Sequence, residues 1–338
     1  MKKSILAPSI LALFVASAAN AGQTFDTAAG SLYLGGDVEF DYTSQHGEKW
    51  ENGVATDADS DFAGGGRLLV DIHGQRVLDN GVFAAFAVAP TFGQHGDHGN
   101  DDVKFTFGMI NDWSLSAGYF EAADLSPAGQ DTYIAESGTT MYRANIARGR
   151  NDNDSGAQLT FNKAMGAAGF ELTAQSQDDG NTVVLRPVVT AGLSDKVSMA
   201  VGLEVPVVGE SNATTDTKDW IGAGGTLSLQ ATDDLILSAR AAYLADDQDQ
   251  NNSIDSYTAG LGAQLQNLFI GALYGESDSD NDAQDTTEMQ VYASYKIPAV
   301  MDLDNFDIYL GAGWSQAELD NVSKDDVVGA RVRLKYIF

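Results

Sequence analysis

The amino-acid sequence predicts an all-β fold, a transmembrane antiparallel β-barrel of sixteen strands. Apolar and polar side chains alternate with a period of two in segments of about ten residues, the length of a tilted strand that crosses a bilayer. Long acidic loops and short turns join these segments in alternation. Helical periodicity does not compete in these windows, so the alternation decides the fold class.

The first residues predict a secretory signal peptide over 1–21. Lys2 and Lys3 precede an apolar run, and Ala19-Asn20-Ala21 supplies a cleavage site of the small-x-small type. A membrane anchor is the alternative interpretation, but the apolar run is too short to span a bilayer and Pro8 interrupts it. Residues 22–338 then form a single barrel domain.

Composition excludes several classes of protein. The chain has no cysteine, which removes disulfide scaffolds, thiol catalysis and cysteine-based zinc sites. Its formal net charge of −29 would repel nucleic acid phosphates, so no nucleic-acid partner is expected. Disorder does not fit 43% hydrophobic residues and 36 glycines. The acidic residues must therefore be segregated from the apolar ones.

The predicted strands follow one another along the chain. In the first, Leu34 and Val38 fall on one face. Asp37 and Glu39 fall on the opposite face. The sixteen segments are 31–43, 66–73, 82–92, 103–109, 113–120, 156–162, 169–177, 182–192, 197–207, 220–230, 235–244, 257–265, 268–275, 289–297, 306–315 and 327–338.

The connections support closure into a membrane barrel. Long polar loops such as 44–61 and 121–155 alternate with tight turns such as 266–267, an asymmetry typical of outer-membrane barrels. A secreted β-helix is the alternative, but it should show a constant repeat, and none is present. Pro90, Pro187 and Pro206 lie in or beside strands, where a missing donor breaks the ladder. Counts of fourteen or eighteen strands therefore stay open.

A barrel of sixteen strands encloses a water-filled lumen, whereas eight strands fill their interior with side chains. The period of two turns charged residues of both signs toward this lumen, so the wall is close to neutral. The acidic excess then lies in the loops. The expected basic wall residues are Arg67, Lys104, Arg186, Arg240, Arg331, Arg333 and Lys335, and the expected acidic ones are Asp37, Glu39 and Asp41.

The long third loop is the expected constriction of the lumen. If its acidic part folds inward against the basic wall, a transverse field forms there and discriminates ions and dipolar solutes. An exposed, solvated loop is the alternative. The expected constriction residues are Glu121, Asp124, Asp131, Glu136 and Arg143.

The signal peptide, the sixteen alternating strands, the long third loop and the terminal Tyr336-Ile337-Phe338 together resemble the general porins of Gram-negative bacteria. This resemblance implies an outer-membrane location, a homotrimer and a third loop folded into the lumen. It also implies that Tyr336 and Phe338 form a signal for the barrel-assembly machinery. The third loop departs from the enterobacterial pattern, because FEAADLSPAGQDTYIAE stands where Pro-Glu-Phe-Gly-Gly is usual.

The expected function is passive diffusion of ions and small hydrophilic solutes, with a mild preference for cations. Outer-membrane lipid and lipopolysaccharide are expected to surround the barrel. The sequence contains no recognisable catalytic motif, and no cofactor is expected. Asp57, Asp59 and Asp61 begin like a calcium loop but lack its glycine and glutamate, so no metal site is predicted.

Two alternative functions stay open. A sugar-biased channel would place aromatic residues near the constriction, and Tyr119, Phe120, Tyr133 and Tyr142 are the candidates. A structural or adhesive barrel would use its acidic loops to bind divalent ions and surface polymers. The second alternative predicts a plugged lumen, so conduction separates the two.

Overall fold

The computed structural model describes residues 22–51, 54–129, 131–135, 137, 141–150, 157–176, 182–208, 219–247, 253–280, 285–319 and 322–338. The predicted signal peptide lies outside these residues. In the described part of the chain, no helix has the length and apolarity needed to cross a membrane. A short 3-10 turn at Val300–Asp302 precedes the sixteenth strand.

Seventeen β-strands make up the described fold. They are β1 Gln23–Thr27, β2 Gly30–Glu51, β3 Val54–Val77, β4 Val82–Gly93, β5 His98–Met109, β6 Trp113–Tyr119, β7 Gln158–Met165, β8 Ala168–Ser176, β9 Thr182–Gly192, β10 Val197–Val208, β11 Asp219–Gln230, β12 Leu235–Asp247, β13 Ser253–Leu265, β14 Leu268–Ser279, β15 Thr286–Ile297, β16 Phe306–Leu319 and β17 Ser323–Ile337.

The strands from β2 to β17 close into an antiparallel barrel. Each pairs with the next along the chain, and β17 returns to β2 over fifteen residue pairs, from Ser323 opposite Glu51 to Ile337 opposite Asp37. Closure leaves no free edge, which is what a sheet needs in hydrocarbon. The predicted barrel of sixteen strands is confirmed.

The short β1 was not predicted. It pairs antiparallel with β2 from Gln23 opposite Leu34 to Thr27 opposite Gly30. It therefore continues the column of β17 along the same edge of β2, beyond the point where Phe338 exchanges backbone hydrogen bonds of 2.9 and 3.0 Å with Gly36. Its sequence QTFDT has a single large apolar residue, so the alternation that reveals the other strands is absent.

The two faces of the barrel differ as the alternation predicts. On β17, Val332 and Tyr336 are exposed on the outward face with the other large apolar residues. Arg331, Arg333 and Lys335 are partly buried on the opposite, inward face. A lipid-facing surface must be apolar, and the lumen accepts polar groups.

The first predicted loop is largely strand, which corrects the prediction. β2 continues to Glu51, and β3 begins at Val54, so almost all of 44–61 is paired. Polar residues extend this hairpin beyond the apolar part of both strands, because antiparallel pairing in water does not require apolar side chains. The alternation therefore marked the apolar part of these strands and missed their polar ends.

The three prolines occupy interruptions in the hydrogen-bond ladders. A register shift separates Val88 from Pro90 where β4 meets β5. Pairing between β9 and β10 skips Pro187, and the β10–β11 pairing ends before Pro206 is reached. A missing N–H is tolerated where the ladder is already broken. The strand that contains Pro187 is confirmed with the predicted bounds, as β9.

Candidate channel constriction

The connection between β6 and β7, residues 120–157 and here named the third loop, contacts the inward faces of many strands. Among the described residues, one isolated antiparallel β-bridge joins the two ends of this loop, between Glu121 and Gly149. The loop's contacts with the wall reach far around the barrel, from β8 and β9 to β17, β2 and β5. A segment bonded to inward faces on several sides of a closed barrel crosses its interior. The wall residues that bond to it include Arg186, Glu204, Thr226, Arg240, Gln290, Arg333 and Gln45.

Arg186 fixes both limbs of the third loop. Its side chain is fully buried, and its guanidinium donates to the carbonyl oxygen of Ala123 at 2.7 Å and to that of Ala144 at 3.2 Å. The charge is balanced by Glu204 at 3.5 Å and Glu171 at 3.6 Å. Removing one partner of such a buried group costs about 3 to 5 kcal/mol.

Glu204 is the second anchor and is also fully buried. Its carboxylate accepts hydrogen bonds from the backbone N–H of Ala147 at 2.7 Å and from the hydroxyl of Tyr142 at 2.8 Å. Burial and the neighbouring Glu204 carboxylate raise the pKa of Tyr142 above its ordinary value. The hydroxyl therefore keeps its proton at neutral pH and remains a hydrogen-bond donor to Glu204.

Apolar packing holds the third loop between these anchors. Three clusters join loop residues to strands from β9 to β17, so this wall and the loop share a dry interface. The clusters are Leu125, Tyr142, Ala144 and Val188; Met141, Phe269, Leu273 and Tyr292; and Tyr133, Ala135 and Val327.

Three arginines of the wall bond to the loop near Pro127 and Asp131. Arg240 donates to the carbonyl oxygen of Pro127 and to the hydroxyl of Tyr292. Arg331 donates to the carbonyl oxygen of Asp131 at 2.5 Å. Arg333 bridges the loop and the wall, because it contacts the Asp131 carboxylate at 2.7 Å and the Asp41 carboxylate at 2.7 Å.

The opposite wall keeps charged side chains accessible. Arg67 is 36% exposed and pairs with Glu39 at 2.9 Å. Lys335 joins the same carboxylate at 2.6 Å, and Asp37 lies 3.9 Å from Arg67. A Cβ added at the inward-facing Gly65 would meet nothing within 4 Å. Open space therefore adjoins β2 and β3.

The loop face near β5 carries its own charges. Arg150 contacts Asp101 at 2.9 Å and Asp102 at 3.0 Å. Arg148 contacts Glu121 at 3.0 Å, and the Glu121 side chain is 38% exposed. The loop thus presents cations to acidic residues of β5. In the acidic part of the loop, by contrast, the Asp131 carboxylate contacts the basic wall residue Arg333 at 2.7 Å.

The predicted site residues fall into three groups. The first group lies on or beside the open wall: Asp37, Glu39, Asp41, Arg67 and Lys104, with Arg333 and Lys335 of β17 bonded to carboxylates of β2, Asp131 of the loop bonded to Arg333, and Glu121 and Asp124 of the loop bonded to the loop's own Arg148. Arg331 is partly buried against the loop, and Arg143 donates to the side-chain oxygen of Gln290 at 3.1 Å. Glu136 lies outside the described residues.

Two wall arginines differ from the prediction. Arg186 and Arg240 face inward as expected, but the third loop covers both, and only 0% and 5% of their surfaces remain exposed. They hold the loop and do not line open water. Sequence reasoning missed Asp101 and Asp102 because it placed them in a loop. The parity of Asp102 with the inward Lys104 on β5 was the available signal.

The predicted aromatic candidates do not line an open channel. Phe120, Tyr133 and Tyr142 are each exposed by less than a tenth and pack beneath the third loop or against the wall. Tyr119 pairs with Val103, which points outward. A ring face free to stack on a sugar is therefore not provided by these four residues.

The chain is similar to known barrels in sequence pattern and in fold. The family model described as porin-like glycoporin RafY matches residues 34–183 and 168–338. The structure of OmpT of Vibrio cholerae expressed in the outer membrane is 12% identical with a TM-score of 0.61, and the alignment covers 94% of this chain and 100% of that one.

Two further solved structures show the same likeness. A loop L8 deletion mutant of that Vibrio cholerae protein is 16% identical with a TM-score of 0.57, over 90% of this chain and 99% of the other. A mutant of the Rh. blastica porin is 12% identical with a TM-score of 0.53, over 89% and 100%. No curated protein sequence matches significantly. At these identities the structural likeness establishes the fold alone.

Proposed function

Because the chain belongs to the porin-like glycoporin RafY family, we propose that it conducts ions and small hydrophilic solutes by passive diffusion, with the third loop as its constriction. It is an outer-membrane porin of a Gram-negative bacterium, and its closed barrel has the apolar outward face that lipid requires. Sixteen strands leave room for water in the lumen. The family and fold favour a channel over an enzyme.

One observation carries the proposed constriction. The third loop is fastened to the wall from β9 to β17, whereas accessible charges remain between the loop and the wall from β2 to β5. A solute that crosses the barrel therefore passes charges of both signs on this side. Such a site orients dipolar solutes and discriminates ions weakly, because the two signs nearly balance.

The proposed preference for cations is mild and arises at the mouth of the barrel. Asp57, Asp59 and Asp61 follow one another on the inward face of β3 near its junction with β2. Their potential concentrates cations before the constriction. Salt screens charges beyond a Debye length of about 8 Å at physiological ionic strength, so the formal charge of the whole chain overstates this preference.

A sugar-biased channel is the second candidate, and the description of the family as a glycoporin favours it. The buried aromatic residues described above make stacking an unsuitable mode of recognition here. Sugar hydroxyls would instead bond to accessible charged side chains beside the passage, such as Arg67 of the open wall and Arg150 of the loop. Block of the current by a sugar would support this candidate.

The assembly partners belong to the same proposal. Tyr336 on β17 and Phe338 directly after it are exposed and are suited to contact with the barrel-assembly machinery during insertion. We expect three barrels to associate and lipopolysaccharide to surround them. Chemical crosslinking in native membranes tests the trimer: cross-linked dimers and trimers are expected, and a monomer alone at all crosslinker concentrations would contradict it.

The function is tested by recording single-channel currents from residues 22–338 in a planar bilayer under a potassium chloride gradient. We expect ohmic steps in groups of three and a reversal potential that favours cations. A concentration-dependent block by a neutral sugar would move the proposal to the sugar-biased channel. A folded, inserted barrel without conductance would contradict the channel and support a structural or adhesive role.

A further inference from the structure

We propose that inward-facing glycines of the wall form a seat for the third loop, and that this seat sets the width of the passage. The inference rests on the proposed function, because it assigns the residues that determine which solutes the channel admits. The seat consists of glycines on β10, β11, β14 and β16, all on the wall to which the loop is fastened: Gly202, Gly222, Gly224, Gly275, Gly311 and Gly313.

The first set of contacts joins the glycines to side chains of the loop. A Cβ added at Gly224 would lie 2.5 Å from the Cβ of Ala144, and one at Gly202 would lie 2.7 Å from Cδ1 of Leu125. Ala144 and Leu125 have no exposed surface. Both distances are shorter than carbon atoms in contact allow, so an added methyl group must move the loop or the wall.

The second set of contacts lies where the loop passes over β16. A Cβ at Gly311 would lie 2.7 Å from the Cβ of Tyr133, and one at Gly313 would lie 2.9 Å from the backbone nitrogen of Ala135. Backbone atoms cannot rotate away as the end of a side chain can. The closed sheet is also stiff, because every strand is paired on both sides, so the loop is the part that moves.

The direction of this movement is toward the open wall. Carbon atoms in contact are separated by about 3.5 to 4.0 Å, so a methyl group at Gly224 requires a displacement of about 1 to 1.5 Å. The seat lies behind the loop, and the accessible Arg67 and Gly65 lie in front of it. A larger residue in the seat therefore narrows the passage, and glycine gives the widest one.

The open wall supplies a matched control. Gly65 also faces inward, on β3 opposite Asp41, but a Cβ added there meets open space. Gly65→Ala places the same methyl group in the lumen without pressing on the loop. Any general effect of replacing an inward glycine in a strand is shared by both variants, and only Gly224→Ala displaces the loop.

A second substitution, at Ala144, should compensate for Gly224→Ala. The φ of Ala144 is +56°, in the left-handed region that glycine adopts without strain. Ala144→Gly removes the Cβ that Gly224→Ala would strike, so the double variant exchanges the methyl group between loop and wall. The swap restores the original spacing if the seat acts through this contact.

The experiment compares single-channel conductance and the largest polyethylene glycol that enters the channel for the wild type, Gly224→Ala, Gly65→Ala and the swap. We expect Gly224→Ala to lose conductance and to exclude smaller polymers, Gly65→Ala to stay close to the wild type, and the swap to recover. Wild-type conductance in Gly224→Ala, or a loss that the swap does not recover, would overturn the seat.

Amide hydrogen exchange on the folded, detergent-solubilised barrel separates failure of the seat from failure of the channel. The N–H groups of Ala123 and Ala147, bonded to Glu171 and Glu204, report the fit of the loop even if no current flows. Faster exchange in Gly224→Ala with recovery in the swap is expected, and unchanged exchange would overturn the seat. If Gly224→Ala does not fold, Gly275→Ala with the rescue Met141→Ala repeats the cycle at a flexible contact.

Discussion

The inward faces of two parts of this barrel follow the same alternation of side chains, but one holds the third loop and the other adjoins the passage. On the wall from β9 to β16, many inward positions, including glycines and the fully buried charges Arg186 and Glu204, are covered by the third loop. On the wall from β2 to β5, inward positions such as Arg67 remain accessible and charged. The comparison teaches that facing inward does not make a residue part of the passage, because the path of the loop decides which wall meets water.

The difference also separates stability from selectivity. Ion pairs beneath the loop lie in a dry interface, where the loss of one partner leaves a buried charge without compensation. On the open wall Arg67 is 36% exposed, and its buried partner Glu39 is also contacted by Lys335 at 2.6 Å and Arg333 at 3.6 Å, so the loss of Arg67 leaves this carboxylate with other cations. Substitutions on the first wall should change folding, and substitutions on the second should change which ions pass.

The largest expected effect follows removal of the buried anchor. Arg186→Met leaves Glu204 and Glu171 without their cation and should lower the free energy of unfolding by about 3 to 5 kcal/mol. Denaturant unfolding in detergent measures it. The matched variant Arg67→Met on the open wall should lose less, because Lys335 at 2.6 Å and Arg333 at 3.6 Å still pair with Glu39, and equal losses for the two variants would refute the comparison.

Loss of one hydrogen bond beneath the loop should have an intermediate effect. Tyr142→Phe removes the donor to the buried Glu204 carboxylate and should cost about 1 to 3 kcal/mol. The same unfolding assay applies. Tyr274→Phe, which removes an exposed hydroxyl bonded to Glu276 at 2.9 Å, is the control and should leave the stability unchanged. A silent Tyr142→Phe would mean that this contact does not hold the loop.

A substitution on the open wall should alter selectivity with little effect on stability. Arg67→Gln leaves Glu39 and Asp37 with less positive charge beside them, so the reversal potential under a potassium chloride gradient should shift toward cations. Lys163→Gln removes a cation beside Asp112 at the outward face and should not shift it. An unchanged reversal potential in Arg67→Gln would place this residue away from the ion path.

The smallest expected effect concerns the mouth. Asp59→Asn should weaken the preference for cations at about 10 mM salt, where the Debye length is about 30 Å, and have no effect at about 1 M, where it is about 3 Å. Reversal potentials at the two salt concentrations measure the difference. A shift of equal size at both concentrations would indicate that Asp59 touches the permeating ion.

Much of the fold could be predicted because the alternation of side chains is a local signal. It located β9 with its bounds despite Pro187, and it assigned Arg331 and Arg333 to the inward face. It did not reveal β1 or the polar ends of β2 and β3, since those segments pair without an apolar face. Local pattern therefore predicts a strand only where one face meets lipid.

The candidate site was less predictable because its contacts are distant in sequence. Arg186 bonds to Ala144, 42 residues away, and nothing in the alternation marks it as covered. Gly222 and Gly224 lie in a wall strand, and the alternation does not reveal the loop that they accommodate. The course of an irregular loop depends on such contacts, and the period of two contains no information about them.

We infer that the passage adjoins the wall of β2 and β3 and not the wall beneath the third loop. The chain has no cysteine, so single cysteines report accessibility without background. We would measure the rate at which a charged, thiol-specific methanethiosulfonate reagent changes the current through Arg67→Cys and Thr226→Cys. Fast modification of the first and none of the second is predicted; equal rates, or faster modification of the second, would contradict the account.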